Sequence, residues 1–431
     1  HQQTSLRSTE HEVDYLIIAA SHLVEDSEQL ARHREADGYR TMVVDVDDVY
    51  WEFAHGEPDP LAIREFLSFA WRAWRTPPRY VALVGKGSLD YRDLLGLGGN
   101  WLPPALAPTD GGLFPSDSML GDLEGDDGVP ELAIGRLPIT SGEELATMIE
   151  SIERFEAGHR SMDVVFAADA SKGREFSAAM GFLAGWTSAE RTREIDLNVL
   201  SVDDARQALV AMWDAPIGWL TFVGHGGLDR LATQGLLTSA DVPALSEASG
   251  TPVVIGWTCN ITRFDIPGYF ALGEELVTRG ASAGVFSATG WSNHLDTDVL
   301  RTAFTEAAFA SEAETIGEAM LIAHRAASDA PLALHRVYML LGDPALRLRE
   351  PKAGPDPEPS PGPTPTEPPA ERPAAEEEAT VGAGGSGCQV GSQSGPGPIG
   401  SVPLMLVLLL LFRSRRFQKN QTPDRASTMP C

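Results

Sequence analysis

Residues 219–227 read WLTFVGHGG, and residues 252–260 read PVVIGWTCN. Each segment is a short apolar run that is followed by a polar or reactive side chain, His225 in the first and Cys259 in the second. Apolar runs of four to eight residues bounded by turn signals are typical of strands buried on both faces. Ligands bind beyond the carboxyl ends of the strands in a parallel sheet. The two segments therefore predict the kind of fold and the place of its site together.

The same alternation of strand and helix signals extends over the first 349 residues. The predicted strands are 15–20, 41–46, 80–84, 131–135, 164–168, 197–202, 219–223, 252–256 and 284–287. The predicted helices include 60–74, 143–155, 203–213, 273–279, 299–310 and 315–328. Strands separated by helices indicate βαβ units and parallel sheets with both faces covered. We predict an α/β fold of two consecutive sandwich subdomains, residues 11–158 and 159–349, each with a mostly parallel sheet.

Charge and cysteine content narrow the class of function. The 431-residue chain has a formal net charge of -28, which argues against a nucleic-acid-binding surface. Of its three cysteines only Cys259 lies in the predicted globular part, so no disulfide framework is expected there. A lone cysteine is either a small buried hydrophobe or a nucleophile. The matching position of His225 favours the nucleophile, because an imidazole can take the proton of a thiol and later protonate a leaving amine.

The two opening segments resemble the gingipain family of cysteine peptidases, which belongs to the caspase-like clan. Three further segments resemble that family in order and spacing, namely 14–18 (DYLII), 130–138 (PELAIGRLP) and 341–346 (LGDPAL). The resemblance covers residues 13–349. It implies that the second subdomain is caspase-like and that His225 and Cys259 form a catalytic pair.

The resemblance also implies roles for residues around this pair. Glu131 matches a carboxylate that orients the catalytic histidine and stabilises the imidazolium. The backbone N–H groups of Gly226 and Cys259 would form the oxyanion hole, where the glycine lets the backbone approach the substrate closely.

A specificity pocket follows from the same comparison. Trp291 matches an aromatic residue that walls the primary pocket. Relatives prefer Arg or Lys before the cut and use an acidic pocket. Asp117 and Asp296 are both candidates for that acid, and the sequence does not choose between them.

The acidic turn at 122–128 is the candidate metal site. Asp122, Glu124, Asp126 and Asp127 offer the carboxylate oxygens that a hard cation such as calcium prefers. The turn is not an EF-hand, because the twelfth loop position falls on Ala133 instead of Glu. A solvated acidic turn explains the same residues. No cofactor is required for the predicted chemistry, and a structural Ca²⁺ is the one addition considered.

The C-terminal residues have a different composition. Residues 350–386 form a Pro/Glu/Gly-rich stretch, which indicates a disordered stalk. Residues 387–416 contain Gly-Cys388, an apolar run and an arginine cluster, and resemble the sorting signals of myxobacterial surface proteins. A short transmembrane anchor is the alternative. Residues 417–431 form a polar tail that such signals do not usually carry.

These features together predict a secreted cysteine endopeptidase held at the surface or outer envelope of a Gram-negative bacterium. The chain begins at His1 without a signal-peptide pattern, and we expect that an export signal preceded it. Its partners would be protein or peptide substrates, the cell-envelope sorting machinery and, through the tail, a membrane. Two other functions stay open: a sortase-like transpeptidase that processes exported proteins, and a non-catalytic surface protein that keeps the fold.

Overall fold

The computed structural model describes residues 5–158, 163–171, 173–215, 217–310 and 313–348. The strands are β1 (Tyr15–Ala19), β2 (Thr41–Asp45), β3 (Tyr80–Val84), β4 (Leu106–Thr109), β5 (Gly112–Pro115), β6 (Ala133–Leu137), β7 (Asp163–Ala168), β8 (Thr192–Asp196), β9 (Ile217–Val223), β10 (Gly226–Gly227), β11 (Arg230–Leu231), β12 (Leu237–Thr238), β13 (Val253–Trp257), β14 (Gly284–Ala288) and β15 (Tyr338–Gly342).

The helices are α1 (Val24–Ala36), α2 (Val46–Phe53), α3 (Pro60–Ala73), α4 (Ser118–Gly121), α5 (Gly142–Gly158), α6 (Glu175–Ala184), α7 (Val202–Met212), α8 (Val242–Ser246), α9 (Leu272–Thr278), α10 (Asp298–Phe309), α11 (Ile316–Ala326) and α12 (Leu332–Val337). A short 3-10 helix, Ser21–Leu23, precedes α1.

Ten strands form one sheet in the order β2-β1-β3-β6-β15-β14-β13-β9-β7-β8. The mostly parallel α/β architecture is confirmed: the β2-β1-β3-β6 strands are parallel to one another, as are β14-β13-β9-β7-β8. Strand β15 is antiparallel to β14 and lies between it and β6. The two sheets predicted for residues 11–158 and 159–349 are therefore joined into one, because β15 at the end of the fold pairs on both sides.

The alternation of buried side chains along the strands explains why helices cover both faces of the sheet. Tyr15, Ile17 and Ala19 of β1 belong to the core beneath α1 and α5, whereas Leu16 and Ile18 belong to the core beneath α2 and α3. Successive strand residues point to opposite faces, so a run of apolar residues is stable only where both faces are packed. Complete burial of β1, β3, β9, β13 and β14 fits that requirement.

Two parts of the predicted pattern were wrong. The strand predicted at 197–202 lies earlier, as β8, and Val202 begins α7. Ser201 caps that helix by accepting the N–H of Asp204 at 3.2 Å, and such a cap favours a helix start over a strand. Strand β15 was not among the predicted strands, because its apolar run follows α12 without a break.

No helix among the described residues is long and apolar enough to cross a membrane. The predicted stalk, the sorting segment with Cys388 and the polar tail lie outside the described residues.

Candidate active site

Two neighbouring strands carry the predicted pair. β9 and β13 are parallel, with Val223 opposite Trp257. His225 and Cys259 each follow two residues after the strand's end, so they stand beyond the same end of adjacent strands. This is the position at which open α/β sheets bind ligands.

Glycine allows the loop after β9 to lie against the loop after β13. A Cβ atom at Gly226 would stand 2.4 Å from Thr258 Oγ1 and 2.7 Å from the Cys259 carbonyl oxygen. Any larger residue at 226 would push the two loops apart. Gly224, whose φ is +157°, donates its N–H to the Trp257 carbonyl at 3.3 Å. The pair of loops therefore brings the backbone of Gly226 beside Cys259.

The sulfur of Cys259, which follows β13, lies against the loop that follows β14. Ser292 donates its backbone N–H to Cys259 Sγ at 3.2 Å, and the Ser292 hydroxyl pairs with Tyr338 OH at 2.9 Å. An N–H aimed at sulfur favours the thiolate over the thiol, because hydrogen bonds to an ionised acceptor are stronger.

Asp169 and Phe176 surround His225, and sequence reasoning missed both. Asp169 follows β7, is buried, and accepts the backbone N–H of His225 at Oδ2 (3.2 Å). The ring of Phe176 is perpendicular to the His225 ring, with centroids 5.3 Å apart. The signal for Asp169 was present, because an aspartate that ends the apolar run 164–168 marks the carboxyl end of a strand.

Glu131 does not lie beside His225, and its predicted role in orienting that ring is wrong. Glu131 precedes β6, which is four strand positions from β9 in the sheet, or about 19 Å at the usual strand spacing. Its carboxylate accepts the backbone N–H groups of Leu123 (2.7 Å) and Glu124 (3.1 Å). Glu131 thus stabilises the acidic turn.

Asp117 is not a pocket acid either. Its carboxylate forms a buried two-pronged ion pair with Arg136, at 2.7 Å from Nε and 2.8 Å from Nη2. The remaining Arg136 nitrogen donates to the carbonyl oxygens of Gly85 and Leu102. A carboxylate held in this way cannot turn to a substrate cation without leaving a buried guanidinium unpaired.

Trp291 and Asp296, by contrast, line one cavity. It has a volume of about 330 Å³, and Asp110, Ser292 and Asn293 contribute to its walls. Trp291 is 50% exposed, so its ring is a wall and not part of the core. Ser292 connects this cavity to the sulfur of Cys259, because the same residue donates its N–H to Cys259 Sγ.

The carboxylates predicted to bind calcium do not converge. Asp122 Oδ2 accepts the Gly128 N–H at 2.8 Å, and the Arg64 guanidinium stands 3.4 Å from Asp126 Oδ1. Glu124 accepts the indole N–H of Trp71, and Asp127 accepts the N–H of Val129. Among the described residues, only His33, Asp37 and Glu156 bring three ligand atoms within 4.8 Å of one another. The Arg34 guanidinium neutralises the carboxylates of this His33, Asp37 and Glu156 group, because it contacts both Asp37 and Glu156.

A cysteine and a histidine beyond adjacent strand ends, with glycine-supported backbone beside the sulfur, are the groups that a thiol hydrolase of the α/β class requires. Residues 8–349 match the model of Peptidase family C25, so the chain belongs to this gingipain family and is a cysteine peptidase. A search of curated protein sequences gave no significant match.

Solved structures agree with that fold. The chain is similar to the Arg-specific cysteine proteinase gingipain R (RgpB), with 16% identity and a TM-score of 0.63 over 79% of each chain. It is also similar to RgpB in the complex of the Porphyromonas gingivalis pro- and mature domains. That match has 17% identity and a TM-score of 0.61, over 78% of this chain and 80% of the other. At these identities the likeness shows the fold alone.

Proposed function

We propose that the protein is an endopeptidase that hydrolyses extracellular proteins with Cys259 as nucleophile and His225 as general base and acid. The observation that carries this proposal is the Ser292 N–H held on Cys259 Sγ at 3.2 Å, beside the strand that leads to His225. A donor at the sulfur favours the thiolate, which is the form that attacks a carbonyl.

The chemistry proceeds in two halves. His225 accepts the thiol proton, and the thiolate attacks the scissile carbonyl carbon to give a tetrahedral oxyanion. When the C–N bond breaks, His225 donates the proton to the leaving amine and a thioester remains on Cys259. Water, deprotonated by His225, then attacks the thioester, releases the carboxylic acid and restores the thiol.

The backbone N–H groups of Gly226 and Cys259 would stabilise the oxyanion in both halves. The close approach of Gly226 to Thr258 and Cys259 supports this assignment, because the backbone of Gly226 then lies close to that of Cys259, whose sulfur would attack the carbonyl. Replacement of Gly226 by Ala is the direct test: the added methyl meets Thr258 and displaces one donor. We expect a fall in kcat with little change in KM. Equal kcat for the variant and the wild type would exclude this donor pair.

Cleavage after a basic residue is the specificity that the cavity supports. Asp296 and Asp110 bring two carboxylates to a cavity that also has the flat wall of Trp291. A guanidinium or ammonium group fits such a setting, because it pairs with carboxylates and stacks on an aromatic ring. Fluorogenic peptides varied at the residue before the cut would test this, and a preference for apolar residues would contradict it.

Hydrolysis and transpeptidation share the thioester intermediate and differ in what attacks it. Incubation of the enzyme with a peptide and a nucleophilic amine separates them: free acid alone supports the peptidase, and ligated product supports transfer. If neither the free acid nor the ligated peptide forms under reducing conditions, the result supports the third alternative, a non-catalytic surface protein.

We also propose that the enzyme is exported and retained at the cell surface by residues 387–416, with processing near Cys388. The support is the sequence pattern of that segment alone. Fractionation of cells that express the full chain, or a chain truncated after Glu350, is the test. Release of only the truncated form into the medium is expected, and equal release of both would contradict an anchor.

A further inference from the structure

The orientation of the His225 ring is unexplained by hydrogen bonding. Asp169, the buried carboxylate beside it, accepts the backbone N–H of His225 and not a ring nitrogen. Within the part of the chain that the structure describes, no group hydrogen-bonds either nitrogen of the ring. A general base without an orienting partner would rotate about its side-chain bonds and spend little time facing the thiol.

Phe176 supplies the contact that is missing. Its ring stands at 90° to the His225 ring with centroids 5.3 Å apart, which is the favourable edge-to-face arrangement of aromatic pairs. Phe176 is only 6% exposed, and it is the second residue of α6, so a helix fixes its position.

A second histidine, His294, also packs against Phe176. The His294 ring stands at 87° to Phe176 with centroids 5.0 Å apart. Arg301 donates from Nη1 to His294 Nδ1 (3.1 Å) and to the His294 carbonyl (3.0 Å), and from Nη2 to Asp298 (2.6 Å). Phe176 therefore contacts both histidine rings, and His294 is anchored to α10 through Arg301.

The electrostatic surroundings of His294 also favour its position close to His225 and Phe176. Burial, together with the neighbouring guanidinium of Arg301, lowers the pKa of His294 and so disfavours its charged form. A charged ring there would oppose the imidazolium that His225 becomes after it accepts the thiol proton.

We infer that Phe176 is a positioning residue for His225, and that His294, locked by Arg301, holds Phe176 in place. The inference rests on the proposed catalytic role of His225. In this arrangement, an aromatic contact does the orienting work that a carboxylate does in other histidine-dependent hydrolases.

Phe176→Leu removes the ring and keeps an apolar side chain of similar length. We expect kcat to fall about tenfold, a change that corresponds to about 1.4 kcal/mol, with KM unchanged. Phe176→Tyr keeps the ring and should restore kcat to within about twofold of wild type. His294→Ala should lower kcat in the same direction by a smaller factor. Phe66→Leu, a buried ring loss in α3 of the first half, is the matched control and should leave kcat unchanged.

A second readout separates positioning from a general loss of stability. The rate at which iodoacetamide alkylates Cys259 is followed on its tryptic peptide between pH 5 and pH 10. An oriented imidazole sustains the thiolate at lower pH, so Phe176→Leu should move the profile toward that of an ordinary thiol, near a pKa of about 8.5.

The positioning role is wrong if Phe176→Leu loses no more kcat than Phe66→Leu, or if its alkylation profile matches that of the wild type. Should Phe176→Leu fail to fold, His294→Ala gives the same decision, because His294 is partly exposed. Full activity in Cys259→Ala would instead overturn the proposed function itself. An inactive Cys259→Ala combined with a fully active Phe176→Leu would overturn only the inference.

Discussion

The two halves of the sheet use the polar residues at their strand ends in opposite ways. In the first half, buried polar side chains at strand ends form ion pairs. Arg136 of β6 pairs with Asp117, and Lys86, which follows β3, contacts Glu274 of α9 in the second half at 2.5 Å. In the second half, the ring of His225 and the sulfur of Cys259 face aromatic and backbone groups.

The comparison indicates that the ion-paired residues stabilise the fold, whereas His225 and Cys259 are available for chemistry. A buried ion pair is satisfied only while both partners stay, so its residues are not available to a substrate. A histidine held by ring contacts keeps its nitrogens for proton transfer. Residues locked in these buried ion pairs should therefore affect unfolding, and His225 and Cys259, at the ends of β9 and β13, should affect turnover.

Replacement of Cys259, the proposed nucleophile, should have the largest effect and is the most direct test of the chemistry assigned to the second half. Cys259→Ala should lower kcat/KM by at least about 1,000-fold, because the covalent route is lost. Under reducing conditions the melting temperature should fall only modestly, because the change removes a single sulfur atom from a buried site. Peptide hydrolysis and calorimetry measure the two effects. Activity that survives would break the comparison, and unfolding would show that Cys259 serves the core.

His225→Ala should be nearly as damaging, and the double variant should lose little more. Residues that act as one unit show strongly non-additive losses, because removal of either disables the same step. Measurement of kcat/KM for the wild type, the two single variants and the double variant gives a double-mutant cycle. Additive losses on a logarithmic scale would mean that the two residues act independently.

Asp117→Asn and Asp296→Asn compare the two halves directly. Asp117→Asn leaves Arg136 buried and unpaired, which should lower the free energy of unfolding by about 3–5 kcal/mol without changing the preferred residue before the cut. Asp296→Asn should weaken the preference for basic residues by about tenfold and leave stability unchanged, because Asp296 is exposed. Denaturant melts and a peptide library measure both. A changed preference in Asp117→Asn would reinstate it as the pocket acid.

A buried histidine pair makes the stability depend on pH. His324 Nδ1 and His335 Nδ1 are 2.9 Å apart, and burial, with His335 nearby, lowers the pKa of His324 from 6.5 to about 3. Between these values the unfolded chain binds a proton that the folded chain excludes. The stability from this group is complete above pH 6.5 and is lost as the pH falls toward 3, by up to about 4 kcal/mol.

His324→Asn should therefore flatten the fall in unfolding free energy between pH 6.5 and pH 4, as measured by urea titration. Replacement of the exposed His55 by Asn is the matched control and should leave the slope unchanged. A parallel slope in wild type and His324→Asn would assign the acid sensitivity to other groups.

Calcium is expected to have the smallest effect. The carboxylates of the turn 122–128 would have to displace Arg64 to bind an ion, so any rise in melting temperature should be no more than about 2 °C. Asp126→Asn with Asp127→Asn should abolish the rise. Identical melting curves of the wild type in calcium and in chelator would leave only a solvated acidic turn.

The sequence by itself determined which residues form buried strands and where each strand ends. The limits of β3 were predicted to the residue, and β9, β13 and β14 to within two residues, because continuous apolar runs bounded by glycine or proline are local signals. The same local signals placed His225 and Cys259 at strand ends.

The tertiary structure decided which strand ends are neighbours. Glu131 and Asp117 are carboxylates in segments that resemble the family, so both were predicted as site residues. Glu131 lies away from His225, because β6 is four strands from β9. Asp117 is not available to a substrate, because it is paired with Arg136. Asp169 and Phe176 reach His225 because β7 and the start of α6 adjoin β9, from positions about 50 residues earlier in the chain. Strand order and side-chain pairing depend on contacts between distant residues, which the local pattern that forms each strand does not encode.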